Sequence, residues 1–139
     1  MIFVDTGAWF AVAVRDDADH DSAMQWLQVN RDPLVTTDYI LAETVTLLRM
    51  RDKTIRGHRL ASRVATSLLR GEAALLEKVT EDDLERALAV FRTYRDHLFS
   101  FVDCTSFVVM ERLLSTKAPV RFKAYRFPSC PYSRRVDNS

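Results

Sequence analysis

"FVDTGAWF", residues 3–10, places a lone carboxylate, Asp5, at the end of an apolar run and follows it with Thr6 and Gly7. Asp-Thr-Gly is the triplet of retroviral-type aspartic proteases, in which two copies share a proton across a dimer. A strand ending in an acid is also how several metal-dependent folds present their first ligand, and an acid there can equally be a plain helix cap. Glycine separates the first reading from the others. The chain has three glycines, Gly7, Gly57 and Gly71. A barrel of short strands needs glycine-rich turns and alternating apolar patterns, and this sequence has neither. Asp5 is therefore not expected to belong to a protease dyad.

Working outward, Met1 to Asp5 is apolar without alternation, as in a strand covered on both faces. Helices are expected over residues 7–14 and 20–30, and a short strand over 33–36. Thr36 or Thr37 caps a helix running to about Arg51. A further helix, about Ile55 to Arg70, ends at Gly71, a natural C′ residue. Residues 74–79 form a strand. Thr80 with Asp83 makes a capping box for a helix toward His97, and Ser100 with Asp103 repeats the pattern for a helix to about Leu114. Strands alternating with helices predict an α/β fold of three layers, with a small central parallel sheet flanked by helices.

With 139 residues, 47% of them apolar and 28% charged, the chain has the composition of one soluble domain with a real core. No run approaches the ~20 apolar residues of a membrane span, and Met1 to Val4 lacks the basic flank of a signal peptide. The two cysteines, Cys104 and Cys130, sit in dissimilar settings and suggest no disulfide or zinc site. A cytoplasmic protein is expected. Charge divides the chain: residues 1–116 carry 14 basic and 18 acidic side chains, residues 117–139 carry 6 and 1. The expected division is thus a core over 1–116 and an atypical, basic, proline-containing segment over 117–139 that completes or flanks it. Within that segment 118–122 is the one candidate strand, although Arg121 and Lys123 do not suit a central one, and residues from Pro128 on are expected to pack poorly.

Most acids fall where water or a helix start accounts for them, including Glu81, Asp82 and Asp83. Three do not. Asp5 ends the first strand, at the sheet edge where α/β proteins place ligands. Glu43 is four residues from Tyr39 and Leu47, three from Ile40 and seven from Met50, which aligns it with an apolar stripe. A buried carboxylate there needs a cation, a donor or a proton. Asp103 stands in "FSFVDCTSFVVM", apolar almost all round, where it also closes a capping box. Three converging carboxylates repel one another unless a hard divalent cation sits between them. Oxygen-only ligation suits Mg²⁺, with Mn²⁺ as a substitute, and the chemistry at such sites is typically phosphodiester hydrolysis.

The segments "FVDTGAWFA", "TTDYILAETVTLL" and "YRDHLFSFVDCTSFVVME", in this order and spacing, resemble the PIN domain, and within it the VapC-like ribonuclease toxins of toxin–antitoxin pairs. The resemblance implies a Mg²⁺-dependent endoribonuclease with an antitoxin partner and a homodimeric state. It maps Asp5 and Asp103 to metal-binding carboxylates, Glu43 to the acid beside them, Thr6 to a supporting hydroxyl and Asp96 to a supporting acid. The ending departs from the family. No acid lies between Glu111 and Asp137, no glycine follows Gly71, and Asp137 stands in the wrong context to serve as the fourth acid. The alternative is accordingly a catalytically impaired module that binds RNA or an antitoxin without cleavage. RNA contact is expected from Arg56, Arg59 and Arg63, which share one helical face. The apolar helices around Ala23 to Leu27 and Tyr39 to Leu48 add to the expectation of a dimer.

Overall fold

The first strand of the computed structural model, β1 (Ile2–Val4), is buried along its whole length and runs through the middle of the molecule. The structure describes residues 1–116 and the backbone of 123–125. After β1 come α1 (Thr6–Ala13), α2 (His20–Val29), β2 (Leu34–Thr37), α3 (Asp38–Arg51), α4 (Ile55–Leu69), β3 (Leu75–Glu77), α5 (Glu81–Thr93), α6 (Phe101–Thr116) and β4 (Lys123–Tyr125). The four strands form one parallel sheet in the order β3-β2-β1-β4, with helices flanking it. This is the three-layer α/β arrangement that the alternating pattern predicts.

Hydroxyl and carboxyl caps set most helix starts. Thr37, rather than Thr36, caps α3, and Thr54 caps α4. Thr80 and Asp83 close a reciprocal box on α5, as Ser100 and Asp103 do at the start of α6. Each such cap satisfies amides that have no partner within the helix and contributes about 1 kcal/mol. At the end of α4, Gly71 takes a φ of +68°. Its amide donates to Leu68 O and that of Glu72 to Ser67 O, which stops the helix as expected.

Phe3, Val4, Val35, Ile40, Leu68, Val109 and Leu113 form the centre of the core. Each contributes about 1.5–3 kcal/mol by leaving water. A smaller cluster of Val14, Leu48 and Ala61 joins the ends of α1 and α3 to α4. No helix among the described residues is long and apolar enough to cross a membrane.

Two expectations are corrected. The helix aimed at His97 stops at Thr93, because Tyr94 leaves helical geometry and its ring packs edge-on against His97 and Phe99. Asp83 closes the expected capping box and is fully buried. The stripe of Tyr39, Ile40, Glu43, Leu47 and Met50 is, apart from Ile40, not the buried face of α3. Ile40, Thr44 and Leu48 are, while Leu47 and Met50 are 44% and 62% exposed. The candidate strand 118–122 lies outside the described residues, as do Asp137 and the segment from Pro128 on. The strand that is described, Lys123–Tyr125, pairs with β1 and lies at the sheet's edge, where a basic strand is tolerated.

Candidate functional site

β1 and β2 are parallel neighbours, so the helices that follow them, α1 and α3, leave the sheet from the same edge. Asp5 occupies the turn between β1 and α1. Its Oδ1 accepts from the amide of Ala8 at 3.0 Å, so the residue is a helix cap in fact as well as a candidate ligand. The two roles are compatible, because a helix N-terminus favours a negative charge. One residue on, the buried Thr6 points its hydroxyl at α3 and donates to Glu43 Oε2 at 2.5 Å. Glu43 is half-buried, and Thr6 meets the need for a donor that its position creates. Asp5, Thr6 and Glu43 are thereby held as one unit at the strand end.

Beneath this unit lies a buried relay. The indole of Trp9 donates to Thr36 Oγ1 at 3.1 Å, and the Thr36 hydroxyl donates to the carbonyl of Val4 at 2.9 Å. Val4 directly precedes Asp5, so the relay ties the last residue of β1 to β2 and to α1.

Asp103 is half-buried in the first turn of α6, with Oδ2 accepting from the amide of Ser100 at 2.8 Å. Helix α6 packs on α3. Val102, next to Asp103, shares a shallow depression of about 590 Å³ with Glu43, Tyr39, Leu47 and Asp38. Among the described residues no group of three or more acids, histidines or cysteines stands close enough to hold a metal ion. The three expected carboxylates are therefore not gathered as one cluster among the described residues: Asp5, Thr6 and Glu43 form one tied unit, and Asp103 is held separately by its cap. Their oxygen donors are of the kind a hard cation takes.

Asp96 is exposed in the turn after α5 and makes no hydrogen bond or ion pair among the described residues. Cys104 follows Asp103 but offers no nucleophile. It is fully buried, and burial, helped by the adjacent Asp103 carboxylate, raises its thiol above the ordinary value. Arg56, Arg59 and Arg63 are exposed along α4 and line a second cavity, away from the carboxylates.

Sequence reasoning passed over Asp38, the first residue of α3. Its Oδ1 accepts from the amides of Tyr39 and Val79, and Oδ2 lies 3.7 Å from Lys78 Nζ, which fastens the exit of β3 to the same sheet edge. The only signal was an acid directly after the cap threonine in "TTD".

The PIN domain family model matches residues 2–118. The 23S rRNA-specific endonuclease VapC20 of Mycobacterium tuberculosis, in strains CDC 1551 and H37Rv, is 40% identical over 114 residues, covering 81% of this chain and 82% of the relative. A crystal structure of Mycobacterium tuberculosis VapC20, described as a sarcin-ricin loop cleaving toxin, superposes with a TM-score of 0.77 at 31% identity over 91% of this chain and 90% of that one. A strand-end acid beside a threonine tied to the neighbouring strand's helix, a parallel sheet of this order and these likenesses agree: the chain belongs to the PIN domain family.

Proposed function

We propose that this protein is a Mg²⁺-dependent endoribonuclease toxin that cleaves structured RNA of the large ribosomal subunit and is restrained by an antitoxin. The observation that carries the reading is the unit of Asp5, Thr6 and Glu43 at the C-terminal edge of the sheet. The likeness to an endonuclease specific for 23S rRNA supports the substrate class.

Asp5, Glu43 and Asp103 would hold the cation, with Mn²⁺ an acceptable substitute. When bound, such a cation supplies charge that activates water and offsets the charge developing on the phosphodiester. The chain's own contribution is positional. Asp5 is fixed by the first turn of α1, Glu43 by the Thr6 hydroxyl, and Asp103 by the first turn of α6. Two of these acids sit at helix N-termini, where the backbone dipoles favour the charged carboxylate. The exposed Leu47 and Met50 on α3 suit a partner surface, and a homodimer and antitoxin binding are part of the proposal.

A second reading, binding without cleavage, is favoured by one observation: the described carboxylates do not close around a single point. Incubation with an rRNA hairpin in Mg²⁺, in Mn²⁺ and in EDTA separates the two. Cleavage that EDTA abolishes, and that Asp5→Asn lacks, supports the nuclease. Retention of the hairpin without cleavage in any metal supports the binding module.

A further inference from the structure

Where the C-terminal ends of α1 and α3 meet α4, the structure contains a cavity of about 870 Å³. Its floor is apolar and belongs to the small cluster of Val14, Leu48 and Leu60. Its walls carry Arg15, Arg51, Arg56, Arg59, Arg63 and His58. Against five arginines stand two aspartates, Asp16 and Asp52, an excess of three positive charges with His58 neutral. Both aspartates are already engaged. Asp16 accepts from Arg51 at 2.9 Å, and Asp52 Oδ1 accepts from the amide and hydroxyl of Thr54. Arg15, Arg56, Arg59 and Arg63 form no ion pair among the described residues. Unpaired guanidinium groups around one concave surface make a receptor for anionic oxygen.

We propose that this cavity is an RNA-backbone docking site, in which Arg15, Arg59 and Arg63 hold phosphates of the strand whose cleavage site lies at Asp5. The proposal rests on the nuclease reading above. The arrangement of the helices supports RNA over a small anion. Arg56, Arg59 and Arg63 follow one another at helical spacing, so the row extends about 10 Å, which matches a run of phosphates rather than one. Helix α1 has Asp5 at its first end and the cavity at its last. From a rise of about 1.5 Å per residue the two lie ~12 Å apart, a distance that a few nucleotides of backbone cover. Helix α3 repeats the relation, with Glu43 in its second turn and Leu48 and Arg51 at the cavity.

The wall is also held in place. At Gly57, in the first turn of α4, an added Cβ would lie 1.9 Å from the carbonyl oxygen of Asp52, so only glycine lets the end of α3 and the start of α4 approach this closely. Arg49 donates to that same carbonyl at 2.9 Å. The Thr54 hydroxyl and amide hold the Asp52 carboxyl below its ordinary value, which keeps it an acceptor throughout the neutral range. Arg51 lies over the Phe10 ring, 6.0 Å from its centroid. The arginines of α4 thus start from a fixed corner.

The test uses full-length protein carrying Asp5→Asn, so that binding is read without cleavage. A fluorescein-labelled rRNA hairpin is titrated by anisotropy at several salt concentrations. Arg59→Glu with Arg63→Glu, both exposed, is compared with Arg92→Glu plus Arg95→Glu, the same charge change outside the cavity. Thermal melts confirm that each variant folds. The proposal expects at least tenfold weaker binding for the cavity variant, a salt slope smaller by ~1.5, and no more than a twofold change for the control. Equal weakening in both variants, or unchanged binding in both, overturns the docking site. Unchanged RNA binding with loss of affinity for a polyglutamate peptide would assign the cavity to an acidic protein partner instead. If the parent binds no RNA at all, the nuclease reading falls together with this one. If the parent binds and the cavity variant binds equally well, only the docking site falls.

Discussion

Thr6 donates its hydroxyl hydrogen to Glu43 Oε2 at 2.5 Å, across 37 positions of the chain. The contact links the first turn of α1 to the second turn of α3. It gives a half-buried carboxylate the donor it would otherwise lack, and a hydrogen bond to a charged group contributes about 1.5–3 kcal/mol. Thr6→Val keeps the shape and removes the donor. Cleavage should fall ~10- to 100-fold with a melt lowered by a few degrees, while Thr6→Ser should restore most of both. Full activity in Thr6→Val would mean that Glu43 needs no positioning.

Asp5 combines a cap with a proposed ligand role, and two substitutions separate them. Asparagine caps helices as well as aspartate does, so Asp5→Asn should leave stability within about 0.5 kcal/mol. Asp5→Ala should cost about 1 kcal/mol through the lost bond to Ala8. Both should lose more than ~99% of cleavage, about the 2.7 kcal/mol that two decades correspond to. Urea melts and initial rates on the same preparations check this. An active Asp5→Asn would remove Asp5 from the metal site.

The relay from Trp9 through Thr36 to Val4 is fully inside the protein. Thr36→Val leaves the indole N–H and the Val4 carbonyl without their partner. A buried unsatisfied donor costs about 1–3 kcal/mol, so the denaturant midpoint should drop accordingly. Because Val4 adjoins Asp5, kcat should fall more than KM rises. A loss confined to stability would show that the relay braces the sheet alone.

Asp83 provides the pH dependence. Burial pushes its carboxyl up. The amide and hydroxyl of Thr80 and the guanidinium of Arg112 more than offset this, and its pKa lies below the ordinary 3.8. Arg112 also reaches Glu77 at 3.6 Å and the carbonyl of Lys78 at 3.1 Å, joining α6 to β3 and α5. A carboxylate lowered in the folded state stabilises above its unfolded pKa, and that contribution is lost as pH falls through the folded one. Stability should therefore be flat from neutrality to about pH 4 and decline below it. Asp83→Asn should cost about 1.5–3 kcal/mol at pH 7, because Arg112 loses a charge-assisted bond while keeping Glu77, and should flatten the acid limb. An unchanged acid limb in Asp83→Asn would shift the effect to other carboxylates.

The backbone plan was legible because its signals are local. Asp5, Thr37, Thr80 and Ser100 each stand next to the helix they start, and Gly71 next to the one it ends. The facing of α3 was not. Apolar side chains occur on more than one side of it, so Ile40 with Tyr39, Leu47 and Met50 describes as good a stripe as Ile40 with Leu48, and only packing on the sheet decides between them. The cap role of Asp83 was legible, but its burial was not, for a related reason. Its burial depends on Arg112, 29 residues away, and no pattern near Thr80 announces that partner. The candidate acids Asp5, Glu43 and Asp103 stood out by being out of place among apolar neighbours. The cavity arginines were found only in part, because Arg15 and Arg51 reach it from α1 and α3 rather than from the basic run on α4.

β1 is synthesised long before one of its two neighbours in the sheet, Lys123–Tyr125. On the ribosome the strand that carries Asp5 therefore emerges with one row of amides and carbonyls uncovered, and it stays so while more than a hundred further residues are added. An uncovered strand edge is a template for pairing with other chains. Non-local pairings of this separation also form slowly, because the loop must close before the contact contributes. The nascent protein thus passes through a period in which its central strand can recruit a foreign strand, and the arrival of Lys123–Tyr125 ends that period.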